Sequence, residues 1–197
     1  MLIRRLTLDD LPHIVDMHTM AFPDSFLTGL GSYFLSVYYC AILKSRDGLI
    51  VGIHEANVLQ GFASGSVRSD GFNSRLVLSN MVEFVPIIIY LAVFRFPALL
   101  RLFRNLSKGE LHKDSYQVGE LASLCVRPVS QGKSYGRVLL QEFISESRRL
   151  GVQKLALTTD ALENERVIKF YKSAGFNAHS SFVSYGDRPM LKFERTL

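Results

Sequence analysis

Residues 120–140 read ELASLCVRPVSQGKSYGRVLL, and their interpretation decides the fold. ELASLCV has the composition of a strand, Gly132 marks a short turn, and the run after it reads as a helix. Gly132-Lys133-Ser134 looks like the end of a nucleotide-binding phosphate loop, but that pattern requires a glycine five positions before Gly132. Arg127 stands there, followed by Pro128, so the ATP or GTP reading fails. What survives is a strand, a glycine-bearing turn and a helix N-terminus whose unpaired N–H groups face an anion.

Working outward, Leu139, Leu140, Phe143, Ser147 and Leu150 trace one face of that helix, which Gly151 stops at its C′ position. KLALTT is the next strand, and SFVSY with PMLKFE forms a final antiparallel pair around Gly186-Asp187. Upstream, LIRRL opens as a strand, and Asp9 or Asp10 caps a helix with Leu11, Ile14, Val15 and His18 on one side. A second helix is predicted from about Thr28 to Leu43, with Tyr33, Phe34, Tyr38 and Tyr39 lining core and groove. LIVGIHEANVLQGFASGSV reads as a hairpin around Ala56-Asn57. The expected fold is α+β: a mixed, mostly antiparallel central sheet of about seven strands flanked by helices.

One stretch exceeds what a plain connection needs. An insertion of about residues 68–115 separates the third and fourth strands and holds SNMVEFVPIIIYLAVFRFPALLRLFRNL. Its longest uncharged run, Phe84 to Phe94, has 11 residues, below the roughly 18 of a bilayer span. Pro86 is expected in a first helical turn and Pro97 at a restart, with Arg95, Arg101 and Arg104 giving the later part a basic side. The reading is a helical hairpin against the sheet that covers a pocket; the alternative is peripheral contact with a membrane or partner.

A chain of 197 residues fits a single domain with an ample core. Cys40 and Cys125 stand far apart without a C-x-x-C pair, and no charged-then-apolar leader is visible, so a reduced, cytoplasmic protein is expected. A formal net charge of +5 favours an anionic ligand or surface. No nucleic-acid module is recognisable, and no nucleic-acid partner is expected. The sequence sets no oligomeric state; a homodimer is compatible with it.

Two motifs carry a family resemblance. Val126, Pro128, Gln131, Gly132 and Gly136 match the central motif of the GNAT superfamily of N-acetyltransferases, with Ser134 in place of the family's middle glycine. Downstream, NERVIKFYKSAGF matches a second family signature at Asn164, Val167, Phe170, Tyr171, Gly175 and Phe176. The opening IRRLTLDDLPHIVDMHTMAF is similar to the family's first strand and helix, so only the apolar insertion stands outside the likeness.

The resemblance implies acetyl-CoA as cosubstrate and no metal. Its pyrophosphate would sit on Gln131, Gly132, Lys133, Ser134, Tyr135, Gly136 and Arg137, and its pantetheine arm along Leu124, Cys125 and Val126. Cys125 is expected as a small buried residue rather than a nucleophile, because the family transfers its acyl group directly. Tyr171 is the expected acid for the departing thiolate, and Asn164 either contacts the CoA arm or caps the helix that carries Tyr171. Direct transfer also needs a base for the amine. Glu120 is the candidate, sharing by strict alternation a face with Ala122, Leu124 and Val126; His54, Glu55, Glu83, His112 and a water chain compete. The expected acceptor is a small primary amine such as an amino sugar or sugar nucleotide, on a loose likeness to acetyltransferases of surface-polysaccharide pathways. Alternatives are a protein or peptide N-acetyltransferase, a non-catalytic CoA-binding module, and a longer acyl donor.

Overall fold

The computed structural model describes residues 1–107, 117–184 and 186–197; His112 and the side chain of Arg104 lie outside the described residues. Seven strands form one sheet: β1 (Leu2–Arg5), β2 (Gly48–Glu55), β3 (Val58–Ser66), β4 (Val118–Val126), β5 (Lys154–Asp160), β6 (Asn177–Ser184) and β7 (Arg188–Thr196). Their order is β1-β2-β3-β4-β5-β7-β6. Only β4 and β5 run parallel, and the helix between them supplies the crossover such a pair requires.

The helices are α1 (Leu11–Ala21), α2 (Phe26–Gly29), α3 (Ser32–Lys44), α4 (Phe72–Ser79), α5 (Met81–Phe94), α6 (Phe96–Ser107), α7 (Tyr135–Arg149) and α8 (Glu165–Ser173). Two cores follow from the two faces of the sheet. One joins Ile14, Leu35, Tyr39 and Phe62 with Leu76, Phe84 and Leu91 of the insertion. The other joins Val51, Leu121, Leu155 and Phe193 with Leu139 and Phe143 of α7 and Tyr171 of α8.

Local chemistry accounts for most boundaries. Ala56 and Asn57 both take positive φ, as do Gly186 and Asp187, the backbone of two tight hairpin turns. Gly151, at φ +84, ends α7 where expected. The single second helix of the sequence reading is instead two: Gly31, at φ +98, separates α2 from α3. Tyr33 is consequently exposed, whereas Phe34 and Tyr39 are buried. Asp10 does not cap α1 through its side chain. Its carboxylate accepts from both Arg4 Nη atoms at 2.7 Å and from the Thr7 N–H at 2.9 Å.

From Phe72 to Ser107 the insertion is three helices that meet at Asn80 and Arg95. Pro97 lies in the first turn of α6, but α5 begins at Met81, which puts Pro86 beyond the first turn. The carbonyl that Pro86 leaves without a donor belongs to Val82, which is exposed to water, so the proline is tolerated. Phe84, Ile87 and Leu91 form the buried face of α5, while Val82, Ile89, Val93 and Phe94 are exposed. Among the described residues no single helix is long and apolar enough to cross a membrane; α4 and α5 together would be, but they meet at a bend of 101°.

Candidate functional site

β4 organises the site through one irregularity. Ser123 pairs with Ser64 and Leu121 with Gly65, so Ala122 is an extra residue, a β-bulge. Gly65 makes room for it, since a Cβ there would overlap the Glu120 carbonyl. Strict alternation therefore fails across Ala122. Leu121 and Leu124 pack toward the α7 side although three positions separate them. Glu120 faces the other side, with Cys125 and the α3 tyrosine Tyr38, rather than sharing a face with Leu124 and Val126.

Pairing of β4 with β5 runs only from Val118 to Leu121, opposite Lys154 to Leu157. Beyond that the strands part, and among the described residues the β4 edge from Ala122 to Val126 has no strand neighbour on that side. An extended ligand can add to such an edge as a strand would. Cys125 is buried, and burial pushes its thiol up to about 12, so it is a neutral thiol and not a nucleophile.

The turn after β4 has the backbone geometry of an anion cradle. Gly132 has φ +84 and Ser134 φ +64, which aims successive peptide groups outward before α7 starts at Tyr135. The N–H groups of Gly132, Ser134, Tyr135, Gly136 and Arg137 make no hydrogen bond to the described chain; the first intrahelical bond is Val138 N to Ser134 O, 3.1 Å. Five free donors at a helix N-terminus suit a phosphate group. Ser134 occupies a left-handed conformation, so the glycine it replaces had a backbone reason to be there. A Cβ on Gly136 would lie 3.9 Å from Val126 Cγ2 and 4.0 Å from Leu124 Cδ2, which ties the cradle to the free edge of β4. Gln131 is exposed, Lys133 Nζ lies 3.6 Å from Glu55, and an Arg137 Nη sits 3.4 Å from Ser173 Oγ; both basic side chains are on the rim.

Tyr171 lies under the point where the strands part. Its ring packs on Phe176 and, at 6.5 Å between centroids, on Phe193, the cross-strand partner of Leu157. Burial raises its hydroxyl to about 12, so it stays protonated at neutral pH. Asn164 donates from its amide nitrogen to Thr159 Oγ1 at 2.7 Å and to the Asp160 carbonyl at 3.0 Å, and makes no side-chain cap on α8. It ties the start of α8 to the end of β5.

Glu120 stands across the sheet, one residue before the parting, opposite Ser66 and Ala156. Burial raises its pKa above the usual carboxylate range, with Lys192 opposing. The competing bases are elsewhere. His54 sits 3.5 Å from Asp10, Glu55 is on the cradle rim, and Glu83 is exposed on the first turn of α5.

On the Glu120 side a cavity of about 340 Å³ opens beside the bulge. Ala122 and Ser123 form its floor; α1, α2, α3 and all three insertion helices wall it. Its polar groups are His18, Ser25, Tyr38, Asn73 and Ser123. His18 Nδ1 is 2.7 Å from Tyr39 Oη and Nε2 is 3.4 Å from Ser25 Oγ. Burial pulls the imidazole down to about 4, so it is neutral. Sequence reading placed His18 only on a helix face and missed Ser25, Asn73 and Ser123, because nothing local marks residues that meet only through packing.

Comparison with known proteins agrees with this geometry. The sequence profile of the acetyltransferase (GNAT) family matches residues 11–176. A mycothiol acetyltransferase of Propionibacterium freudenreichii is 40% identical over 73 residues, which are 37% of this chain and 23% of that protein, so the chain spans well under two thirds of that relative. The ribosomal-protein-alanine N-acetyltransferase of Brucella melitensis superposes with a TM-score of 0.65 at 20% identity, covering 100% of both chains. The PaiA N-acetyltransferase of Thermoplasma acidophilum, solved in complex with coenzyme A, superposes with a TM-score of 0.62 at 15% identity, covering 100% of this chain and 98% of that one. These two structures share the fold. With the bulged β4, its parting from β5 and the cradle at the start of α7, the match over residues 11–176 shows that the chain belongs to the GNAT acetyltransferase family.

Proposed function

We infer that the protein transfers an acetyl group from acetyl-CoA directly to a primary amine of a small molecule. The pyrophosphate rests on the free N–H groups between Gly132 and Arg137, and the pantetheine arm lies along the β4 edge from Leu124 to Val126. That brings the thioester to the parting of β4 and β5, between Glu120 on one face and Tyr171 on the other.

Glu120 accepts the proton of the incoming ammonium; a raised carboxylate pKa suits a base working near neutral pH. Backbone N–H groups near the bulge stabilise the oxyanion as the amine attacks. Tyr171 donates its proton to the departing thiolate, which leaves as the CoA thiol, and the second proton shed by the amine nitrogen as the amide forms restores the phenol. Charge therefore moves through the parting without a covalent acyl-enzyme, in keeping with the neutral, buried Cys125.

One observation carries the small-molecule reading: the three insertion helices wall a discrete cavity at the bulge instead of leaving an open groove for a polypeptide. The test is CoA release from acetyl-CoA in the presence of single amines and of peptides with free N-termini. Amine-dependent release with small amines is expected; release with peptides alone would overturn the reading.

A further inference from the structure

The wall of that cavity restricts the acceptor further. None of the described residues that line it carries a formal charge, and Arg101 approaches the wall through the Phe26 ring, 4.3 Å from its centroid. Phe22, Phe26, Phe34, Leu76, Phe84 and Leu102 are among its apolar lining residues. His18, among the described lining residues the one titratable group besides the Tyr38 phenol, is neutral and engaged with Tyr39 and Ser25. Ser25 is itself committed: it accepts from the Thr28 N–H at 3.1 Å and donates to Thr28 Oγ1 at 3.0 Å. Tyr38, Asn73 and Ser123, the last in hydrogen-bonding reach of Tyr39, are the other polar groups on an otherwise aromatic and aliphatic wall.

Such a surface discriminates by what it cannot satisfy. A sugar ring carries a hydroxyl on nearly every carbon, and burying these against phenyl and leucyl groups strands them without partners. A polyamine carries further ammonium groups that would enter a cavity without a counter-charge. An aromatic or branched alkyl body loses nothing on entry and removes apolar wall from water. Charge is needed only at the floor, where Ala122 and Ser123 follow Glu120 on β4 and where the lining phenol of Tyr38 has its pKa raised by burial and then by the Glu120 carboxylate. The volume, about 340 Å³, is that of a pocket for one small ring system and its linker.

We propose that the acceptor is a monoamine with a single uncharged apolar body, an arylalkylamine or branched alkylamine in class, seated among Phe22, Phe26, Phe34, Leu76, Phe84 and Leu102 with its amine toward Glu120. The proposal rests on the N-acetyltransferase reading above and replaces an amino sugar as the expected acceptor. An alkyl acyl chain on the donor is the competing occupant. The polar groups of the cavity wall favour an amine-bearing ligand over an alkyl chain threaded in from the CoA side.

The test uses the full chain, acetyl-CoA and five amines: 2-phenylethylamine, tryptamine, isopentylamine, glucosamine and spermidine. The first three should have kcat/KM values roughly 10-fold or more above the last two, the discrimination an apolar pocket achieves. Glucosamine or spermidine equal to or better than the arylalkylamines would overturn the proposal. Val77→Trp, on the half-buried cavity wall, should raise KM for 2-phenylethylamine roughly 10-fold with acetyl-CoA stabilisation unchanged. Should that variant fail to fold, Asn73→Leu serves: KM for 2-phenylethylamine should hold or fall, and a rise would count against the proposal. Turnover of octanoyl-CoA above that of acetyl-CoA, lost in Val77→Trp, would assign the cavity to the donor and overturn the proposal. If no amine is turned over although acetyl-CoA raises Tm, the transfer reading fails by itself. The cavity is then judged by whether 2-phenylethylamine raises Tm of the wild type and not of Val77→Trp.

Discussion

Glu120 and Tyr171 stand on opposite faces of the sheet at the place where β4 and β5 part. Glu120 lies one residue before the last paired position of β4, on the Tyr38 side. Tyr171 packs on Phe193, which pairs with Leu157, the last residue of β5 joined to β4. A thioester held in the parting would have one group on its acceptor side and one on its thiol side, the arrangement that direct transfer requires.

Glu120→Gln tests the acceptor side. The raised carboxylate pKa means that wild-type activity falls as pH drops through it, and the variant should lose that acidic limb and roughly 10²–10⁴-fold in kcat. Stability moves the other way. A group whose folded pKa is raised stabilises the fold below its unfolded value, and that contribution disappears as pH rises through the folded value. Glu120→Gln should therefore be at least as stable as wild type at pH 8 by urea denaturation. An acidic limb that stays in place would assign the base to another group.

Tyr171→Phe tests the thiol side. The phenyl ring retains the contacts with Phe176 and Phe193, so Tm and CoA binding should hold while kcat drops roughly 10- to 10⁴-fold. A wild-type rate with a good acceptor would show that the thiolate leaves unaided.

The cradle separates backbone strain from ligand contact. Ser134→Gly removes the cost of a left-handed serine, partly offset by the freer unfolded chain, and should stabilise by roughly 1 kcal/mol with acetyl-CoA binding retained. Gly132→Val places a β-branched residue at φ +84 and should destabilise and weaken CoA binding together. Gly136→Val meets only side-chain atoms near 3.9 Å in the free protein, so it should fold yet lose the Tm increase with acetyl-CoA. ATP should give no increase in any of them.

Acid should loosen the acceptor side before the rest of the fold. His18 has its pKa lowered from 6.5 to about 4 by burial, so its contribution is complete above pH 6.5 and is lost as pH falls toward 4. Denaturation at pH 6.5 and pH 4 should differ by up to about 3 kcal/mol from this residue. His54, also lowered by burial and then by Arg4, adds in the same direction. Burial works against the Asp10 carboxylate, but its Arg4 and Thr7 bonds outweigh it and hold the pKa at about 2, so its loss follows only below pH 3.8. His18→Gln should flatten the upper window and leave the lower one; an unchanged upper window would place the titration elsewhere.

The cradle, the hairpin turns and the Tyr171 helix were legible in the amino-acid sequence because each is a local device. Gly132, Gly151 and Gly186 meet backbone demands within their own turns, and the spacing from Asn164 to Phe176 lies within one helix and its exit. The side on which Glu120 points was not legible. It depends on the bulge at Ala122, which exists because β3 offers Gly65 opposite, and a period-two rule cannot register a residue inserted by pairing with a distant strand. The start of α5 before Pro86 depends likewise on water at Val82 and on the core that takes Phe84 and Leu91. Sequence alone thus pointed to the family and to the local conformation of the turn before α7. Only the tertiary structure decided the acceptor cavity, since Phe22, Phe34, Leu76, Phe84 and Ser123 come from separate elements and meet through burial of apolar surface, a force without a sequence-local signature.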